Sequence, residues 1–253
     1  MYQENIERFE AYSPPPPEPE YMSSFKTEWR NENFRVSKMT WFSFGILLLF
    51  CAQGLAGDQT ELLKGLNETL KIITFGVTIL FQWVIFGLLY FAVVREQTYL
   101  KGIGLIKLRG IDFATGIALL LVLFLSASGI GWILTQIGLA PKGEISFLLP
   151  ESLTGKFFWV LMSFTAGMCE EVIFRGYLMT RLRLLFKSKS WFWPVIISSV
   201  AFAFPHSYQG VGNGIVIFFV GILFALTFIK TRSLWPCILA HFFLDFLALF
   251  IPQ

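Results

Sequence analysis

The stretch Cys169-Glu170-Glu171-Val172-Ile173-Phe174-Arg175 sets three ionisable side chains inside a long apolar run, Phe157 to Leu178, that reads as one helix. At membrane depth such groups cost a few kcal/mol each, so they usually face a bundle interior or a wet cavity and mark function. The spacing gives the two carboxylates different tasks. Glu171 and Arg175 stand four apart with the acid on the N-terminal side, the favourable orientation for a helical ion pair, which commits Glu171 and Arg175 to structural support. Glu170 lies about 100° further round the helix and has no partner in its own segment, so it must find one on another helix. The chain has 2 histidines, His206 and His241, in or at the end of apolar segments downstream. His206 closes the run Phe202-Ala203-Phe204-Pro205-His206. His241 and Asp245 stand four apart on one face of the last apolar segment, where the carboxylate can accept from a ring nitrogen and fix the tautomer.

Taken singly, each residue has a plainer explanation. His206 alone would read as an interfacial histidine at a helix end, and His241 with Asp245 as a self-satisfied polar pair holding two helices together. Three separate spans that each contribute an ionisable group favour a shared site. A carboxylate and two imidazoles suit three chemistries. They can activate a water for hydrolysis, with Glu as general base and His as hydrogen-bond partner or proton donor. Glu170, His206 and His241 can ligate a divalent metal such as zinc and leave a fourth position open. They can also relay protons or ions through a transporter. No HExxH pattern is present and the three ligands come from three helices, which weighs against zinc. Broken helices in corresponding positions of two halves are not visible, which weighs against a transporter. Hydrolysis is the favoured chemistry.

The elements that must position these groups are membrane spans. With 55% hydrophobic and 15% charged residues and a mean hydropathy of +0.63, the chain does not suit a soluble surface. Its 29 phenylalanines and 8 tryptophans suit lipid-facing surfaces and interfacial belts, and a net charge of +3 is too small to suggest a nucleic-acid partner. Three cysteines, Cys51, Cys169 and Cys237, give neither a disulfide framework nor a zinc signature. Seven apolar segments follow one another: Met39 to about Leu55, Ile72 to Val94, Ile111 to Leu134, Phe157 to Leu178, Trp191 to Phe204, Gly214 to Ile229 and Leu234 to Ile251. Most are near the length that a hydrocarbon core demands of a helix, and the ten-residue alternating segments of a barrel are absent. The fold class expected is therefore all-α, a polytopic transmembrane bundle of about seven spans. Thr98 to Leu108 is either an eighth, re-entrant or amphipathic piece or a solvated loop.

Residues 1–38, with the tract Pro14-Pro15-Pro16-Pro17-Glu18-Pro19-Glu20, read as a disordered tail. Residues 39–150 read as N-terminal transmembrane helices and 151–253 as the catalytic core. Lys and Arg gather in the tail and in alternate connections, Arg95 to Arg109, Arg181 to Lys189 and Lys230 with Arg232, which predicts an integral membrane protein with a cytoplasmic N-terminus and an uncleaved first span.

Glu170-Glu171-x-x-x-Arg175, then Phe202-x-x-x-His206, then His241-x-x-x-Asp245 resembles the three-part signature of the CPBP intramembrane proteases. That family includes the type II CAAX prenyl endopeptidases and bacteriocin-processing or immunity proteins. The resemblance covers about Gly155 to Phe250, including the turn Thr231-Arg232-Ser233-Leu234. It implies an intramembrane endopeptidase in which Glu170 is general base on the attacking water, His206 shares that water, and His241 with Asp245 stabilises the oxyanion. It implies a protein or peptide substrate, lipidated in the CAAX branch, met within the bilayer. A metal-free mechanism is favoured, with zinc the alternative. The family often has Asn at the position of Asp245; an amide can donate to an oxyanion and an ionised Asp cannot. Asp245 is then either protonated or confined to orienting His241. The alternative function is a non-proteolytic scaffold or immunity factor that keeps these residues as interhelical glue.

A depth count strains the shared site. At 1.5 Å per residue, Glu170 lies about 15 Å inside the cytoplasmic face counted from Thr180, and His241 about 12 Å counted from Ser233. His206 comes out about 24 Å deep counted from Ser190.

Overall fold

The computed structural model describes residues 37–96, 99–141, 148–186 and 190–250. The proline tract and the loop residues Lys142, Lys187 and Lys189 lie outside them. The described residues form helices α1 (Lys38–Ala52), α2 (Thr60–Lys64), α3 (Glu68–Arg95), α4 (Tyr99–Gly102), α5 (Gly110–Gln136), α6 (Leu153–Leu185), α7 (Phe192–Ala203), α8 (Val211–Thr231) and α9 (Trp235–Leu247), with no strand among them. Short polar residues start the long helices. Ser37 and Thr40 form a capping box on α1, Asn67 accepts from the Leu70 amide on α3, and Ser152 accepts from the Gly155 amide on α6.

Five helices are long and apolar enough to cross a membrane: α1 with its following turn to Ala56, α3, α5, α6 and α8. The all-α membrane bundle is as expected, but two of the seven expected spans are shorter. Helix α7 has 12 residues and hands on to a 3₁₀ turn, Phe204–Gln209, and α9 with its own end turn is a short apolar helix, Trp235–Phe250. Helix α6 is the centre. Of its most apolar stretch 61% is buried, against 17–33% for the other four, because α3, α7 and α9 all pack on it. The other long helices turn residues such as Leu49, Leu80, Leu125 and Trp132 outward, as lipid-facing surfaces require.

Helix α6 runs 33 residues, past the end at Leu178 expected from its apolar run. Arg181, counted above among basic loop residues, is buried inside the bundle. It pairs with Glu96 Oε2 at 2.7 Å, while Tyr177 and Thr40 donate their hydroxyls to the other oxygen of Glu96. A carboxylate from the end of α3 makes the charge tolerable at that depth.

From Tyr99 on, the segment expected to be an amphipathic piece or a loop is a packed strap; Thr98 lies outside the described residues. After the single turn α4, Gly102, Ile103 and Gly104 are buried while Lys101 and Lys107 face outward. The Leu234 amide donates to the Gly104 carbonyl at 2.9 Å, and the Trp235 indole donates to the Ile106 carbonyl at 2.6 Å. Gly104 has φ +93°, and a Cβ there would lie 2.3 Å from Phe228 Cε2. Strained φ and overpacking each cost about 1 to 3 kcal/mol. Gly104→Ala should therefore lower the thermal midpoint of the detergent-solubilised protein by several degrees, and an unchanged midpoint would mean that the strap does not pin α8 and α9.

Candidate active site

Directly after Glu171, the helix changes hydrogen-bond pattern. Val172–Met179 is π-helical, and all eight of its residues are buried. Single π segments inside α-helices recur at functional sites, and here the segment begins beside the two adjacent carboxylates and carries Arg175.

Glu171 and Arg175 are both 0% exposed and meet at 2.9 Å, Arg175 Nη1 donating to Glu171 Oε1. The guanidinium has further partners. Nη2 donates to the Gly221 carbonyl at 3.3 Å, and Cζ lies 4.0 Å from the centroid of the Phe202 ring and 5.0 Å from that of Phe224. A planar, weakly hydrated cation is suited to such a site. The absence of a side chain at Gly221 matters, since a Cβ there would stand 3.3 Å from Arg175 Nη2.

His241 stacks on Phe224 with centroids 5.4 Å apart and meets the edge of Phe202 at 5.8 Å. Its Nδ1 lies 3.0 Å from Glu171 Oε1, whereas Nε2 is 3.6 Å from Asp245 Oδ2, too long for a hydrogen bond. The spacing argument assigned the orienting role to Asp245; the structure gives it to Glu171. The cause is a close helix crossing. At Gly167 a Cβ would lie 2.9 Å from the Ile238 carbonyl oxygen, so α9 approaches α6 backbone to backbone, and His241, about one turn on, comes within reach of Glu171.

Glu170 is buried on a different side. Its Oε1 accepts from Gln82 Nε2 of α3 at 2.8 Å, and among the described residues Oε2 has no protein partner. The expected partner from another helix is thus an amide. Sequence reasoning missed Gln82, although an isolated glutamine within the apolar run Ile72 to Val94 was the available signal.

His206 sits in the turn after α7. Its Nδ1 lies 2.9 Å from the Phe202 carbonyl, which fixes the ring and leaves Nε2 for the site. The Phe202 ring is 5.4 Å from the His206 ring and 5.8 Å from that of His241, so the two imidazoles flank one phenyl group. Asp245, with 30% of its side chain exposed, lies within electrostatic reach of Glu170, Glu171, His206 and His241. The helix ends differ from the residues used in the depth count. Helix α6 continues to Leu185, so Glu170 stands about 22 Å from its end at 1.5 Å per residue, close to the count for His206. Ser233, from which His241 is counted, is itself buried, and the next residue, Leu234, donates its amide to the strap.

Among the described residues no group of three or more His, Cys, Asp or Glu side chains is placed to hold a metal ion.

Fold and site together define a helical membrane protein in which one arginine and two histidines gather around Phe202, one of two adjacent glutamates joins that arginine, and the other is held from α3. Residues 152–247 match the model of the family described as Type II CAAX prenyl endopeptidase Rce1-like. That segment contains all three motifs, and the match bears out the CPBP resemblance. No curated protein and no solved structure matches the chain.

Removing one member of a buried ion pair strands the other and costs about 3 to 5 kcal/mol. Arg175→Ala and Glu171→Gln should each sharply reduce the monodisperse peak in size-exclusion chromatography of detergent extracts. Wild-type yields for both would show that the pair does not hold the bundle.

Proposed function

We propose that this protein hydrolyses a peptide bond within the membrane with Glu170 as general base. The observation that carries the reading is the division between two adjacent carboxylates. Both carboxylates are bonded through Oε1 and have a buried Oε2 without a protein partner among the described residues, but Glu171 Oε1 faces Arg175 and His241, two groups that can carry positive charge, whereas Glu170 Oε1 is held by the neutral Gln82 amide. A base must be oriented without having its charge neutralised by a fixed cation, and of the two carboxylates Glu170 has that arrangement.

In this mechanism a water on Glu170 Oε2 attacks the scissile carbonyl carbon as Glu170 takes its proton. His206 holds the same water through Nε2, because Nδ1 is occupied by the Phe202 carbonyl. His241, when protonated at both nitrogens, donates from Nδ1 to Glu171 and turns Nε2–H towards the site. Asp245 steadies that cation from its wetter edge. The substrate is a protein or peptide met in the bilayer, and a prenyl group beside the cleaved bond is the form of substrate that the family match supports. Arg95, Lys101, Lys107, Arg109, Lys230 and Arg232 gather at the strap end of the bundle, which supports a cytoplasmic location for that end and for the N-terminus.

The second reading is a scaffold or immunity factor in which Glu170 is glue, and the buried Gln82–Glu170 hydrogen bond favours it. One variant separates the two. In proteoliposomes supplied with a prenylated CAAX peptide, Glu170→Gln should keep wild-type yield and lose cleavage by at least about a hundredfold, the lower end of what a general base contributes. The glue reading predicts a large loss of yield instead. Cleavage retained in Glu170→Gln would assign the base to another residue. The same peptide without its prenyl group tests the lipid requirement, and equal turnover of both peptides would refute it.

A further inference from the structure

We infer that Tyr208 is a further catalytic residue, the hydroxyl donor to the oxyanion that forms during hydrolysis. The inference rests on the function proposed above and begins from a shortage of donors. An oxyanion needs N–H or O–H groups aimed at it, and most donors around this cluster are spent, while Arg175 Nε and the Ser199 hydroxyl, which have no partner among the described residues, are fully buried. The Gln82 amide is on Glu170, Arg175 is on Glu171 and the Gly221 carbonyl, and the Trp159 indole is on the Asp245 backbone carbonyl. The Trp83 indole is on Thr165, and Nδ1 of His206 is on a carbonyl. An ionised Asp245 has no proton to donate. His241 Nε2–H would be left as a single donor, where oxyanion sites commonly use two or more.

Tyr208 stands beside this cluster. Its ring stacks on His206 with centroids 6.2 Å apart at 29°, and the group lies within electrostatic reach of the Glu170 and Asp245 carboxylates. The Gln209 amide donates to its phenolic oxygen at 2.9 Å. That bond uses the oxygen as acceptor and leaves the O–H proton to be donated elsewhere. A bond accepted at the oxygen also polarises the hydroxyl and strengthens the one it donates.

The backbone under Tyr208 is fixed. Its carbonyl accepts from the Gln59 amide at 3.1 Å and the Thr60 hydroxyl at 3.2 Å, and the Ser207 hydroxyl donates to the Gly54 carbonyl at 2.6 Å. Gly54 approaches so closely that a Cβ there would lie 2.2 Å from the Phe204 carbonyl oxygen. The turn that carries His206 and Tyr208 is thus clamped to the end of α1, the pre-organisation an oxyanion donor requires.

In the attack step the water oxygen bonds to the carbonyl carbon, its proton passes to Glu170, and the carbonyl π pair moves onto oxygen. Tyr208 hydrogen-bonds to that oxyanion without giving up its proton. On collapse the pair returns, the C–N bond breaks, and Glu170 returns the proton to the leaving amine.

The test is a double-mutant cycle in proteoliposomes with the prenylated CAAX peptide. Tyr208→Phe keeps the ring and removes the donor, so kcat should fall about 10²- to 10³-fold with KM within twofold. Asp245→Asn supplies an amide donor at the neighbouring position, so adding it to Tyr208→Phe should raise kcat at least tenfold over Tyr208→Phe alone. A structural role for Tyr208 would not be rescued in this way. Should Tyr208→Phe fail to fold, Gln209→Leu leaves the hydroxyl but removes its orienting partner, and a tenfold loss of kcat at unchanged KM is expected. Wild-type kcat in the folded variant, or no rescue by Asp245→Asn, overturns the assignment. Cleavage that is lost in Glu170→Gln but kept in Tyr208→Phe overturns this assignment alone, whereas no cleavage by the wild type overturns the hydrolase reading and this one with it.

Discussion

Arg175 is fully buried in the middle of an apolar bundle, and its desolvation by itself would cost several kcal/mol. What offsets that cost also fixes the neighbouring side chains. Glu171 must face it from four residues back, Phe202 and Phe224 must present ring faces, and Gly221 must lack a side chain. Those demands orient α6, α7 and α8 around one guanidinium. Because Glu171 Oε1 also meets His241 Nδ1, α9 joins the same network. The two phenylalanines over the cation also border His241, so the network that neutralises Arg175 is the floor of the proposed site.

With Glu171 committed, its neighbour in sequence is separated from it in environment. Glu170 points towards α3, where Gln82 holds one oxygen. Two carboxylates in consecutive positions would repel each other if they shared a cavity; here Arg175 and His241 surround one, and a neutral amide attends the other. The π segment begins at Val172, directly after both carboxylates. A hydrolytic site needs this asymmetry, one acid to hold the architecture and another left reactive. The N-terminal half of the chain takes part in it through Gln82, so the helices outside the matched segment are more than a membrane anchor.

Two irregular segments complete the geometry at opposite ends of the bundle. The strap around Gly104 supports the junction of α8 and α9, and the turn Phe204–Gln209 is locked to the end of α1. Both replace the regular span ends that hydropathy suggests. Both place polar backbone against protein, the condition under which non-helical chain is tolerated at membrane depth.

The sequence by itself determined the class of fold, because no soluble surface can be made from such a composition and only helices satisfy their own backbone in lipid. It also determined the pairing of Glu171 with Arg175, because a spacing of four on one helix is a local property. It identified His206, His241 and Asp245 as the remaining ionisable groups of interest, since charge is costly wherever an apolar span contains it. Partnerships between helices were not legible. That His241 leans on Glu171 rather than on Asp245 depends on the backbone approach at Gly167, and that Glu170 is met by Gln82 depends on how α3 lies against α6. Arg181 was read as a loop residue because its partner, Glu96, is remote in sequence. The helix ends from which Glu170 and His241 are to be counted were not legible either, because α6 outlasts its apolar run and α9 begins already buried. Each of these was decided by helix packing, which selects among partners that hydropathy and spacing cannot distinguish, since both describe one helix at a time.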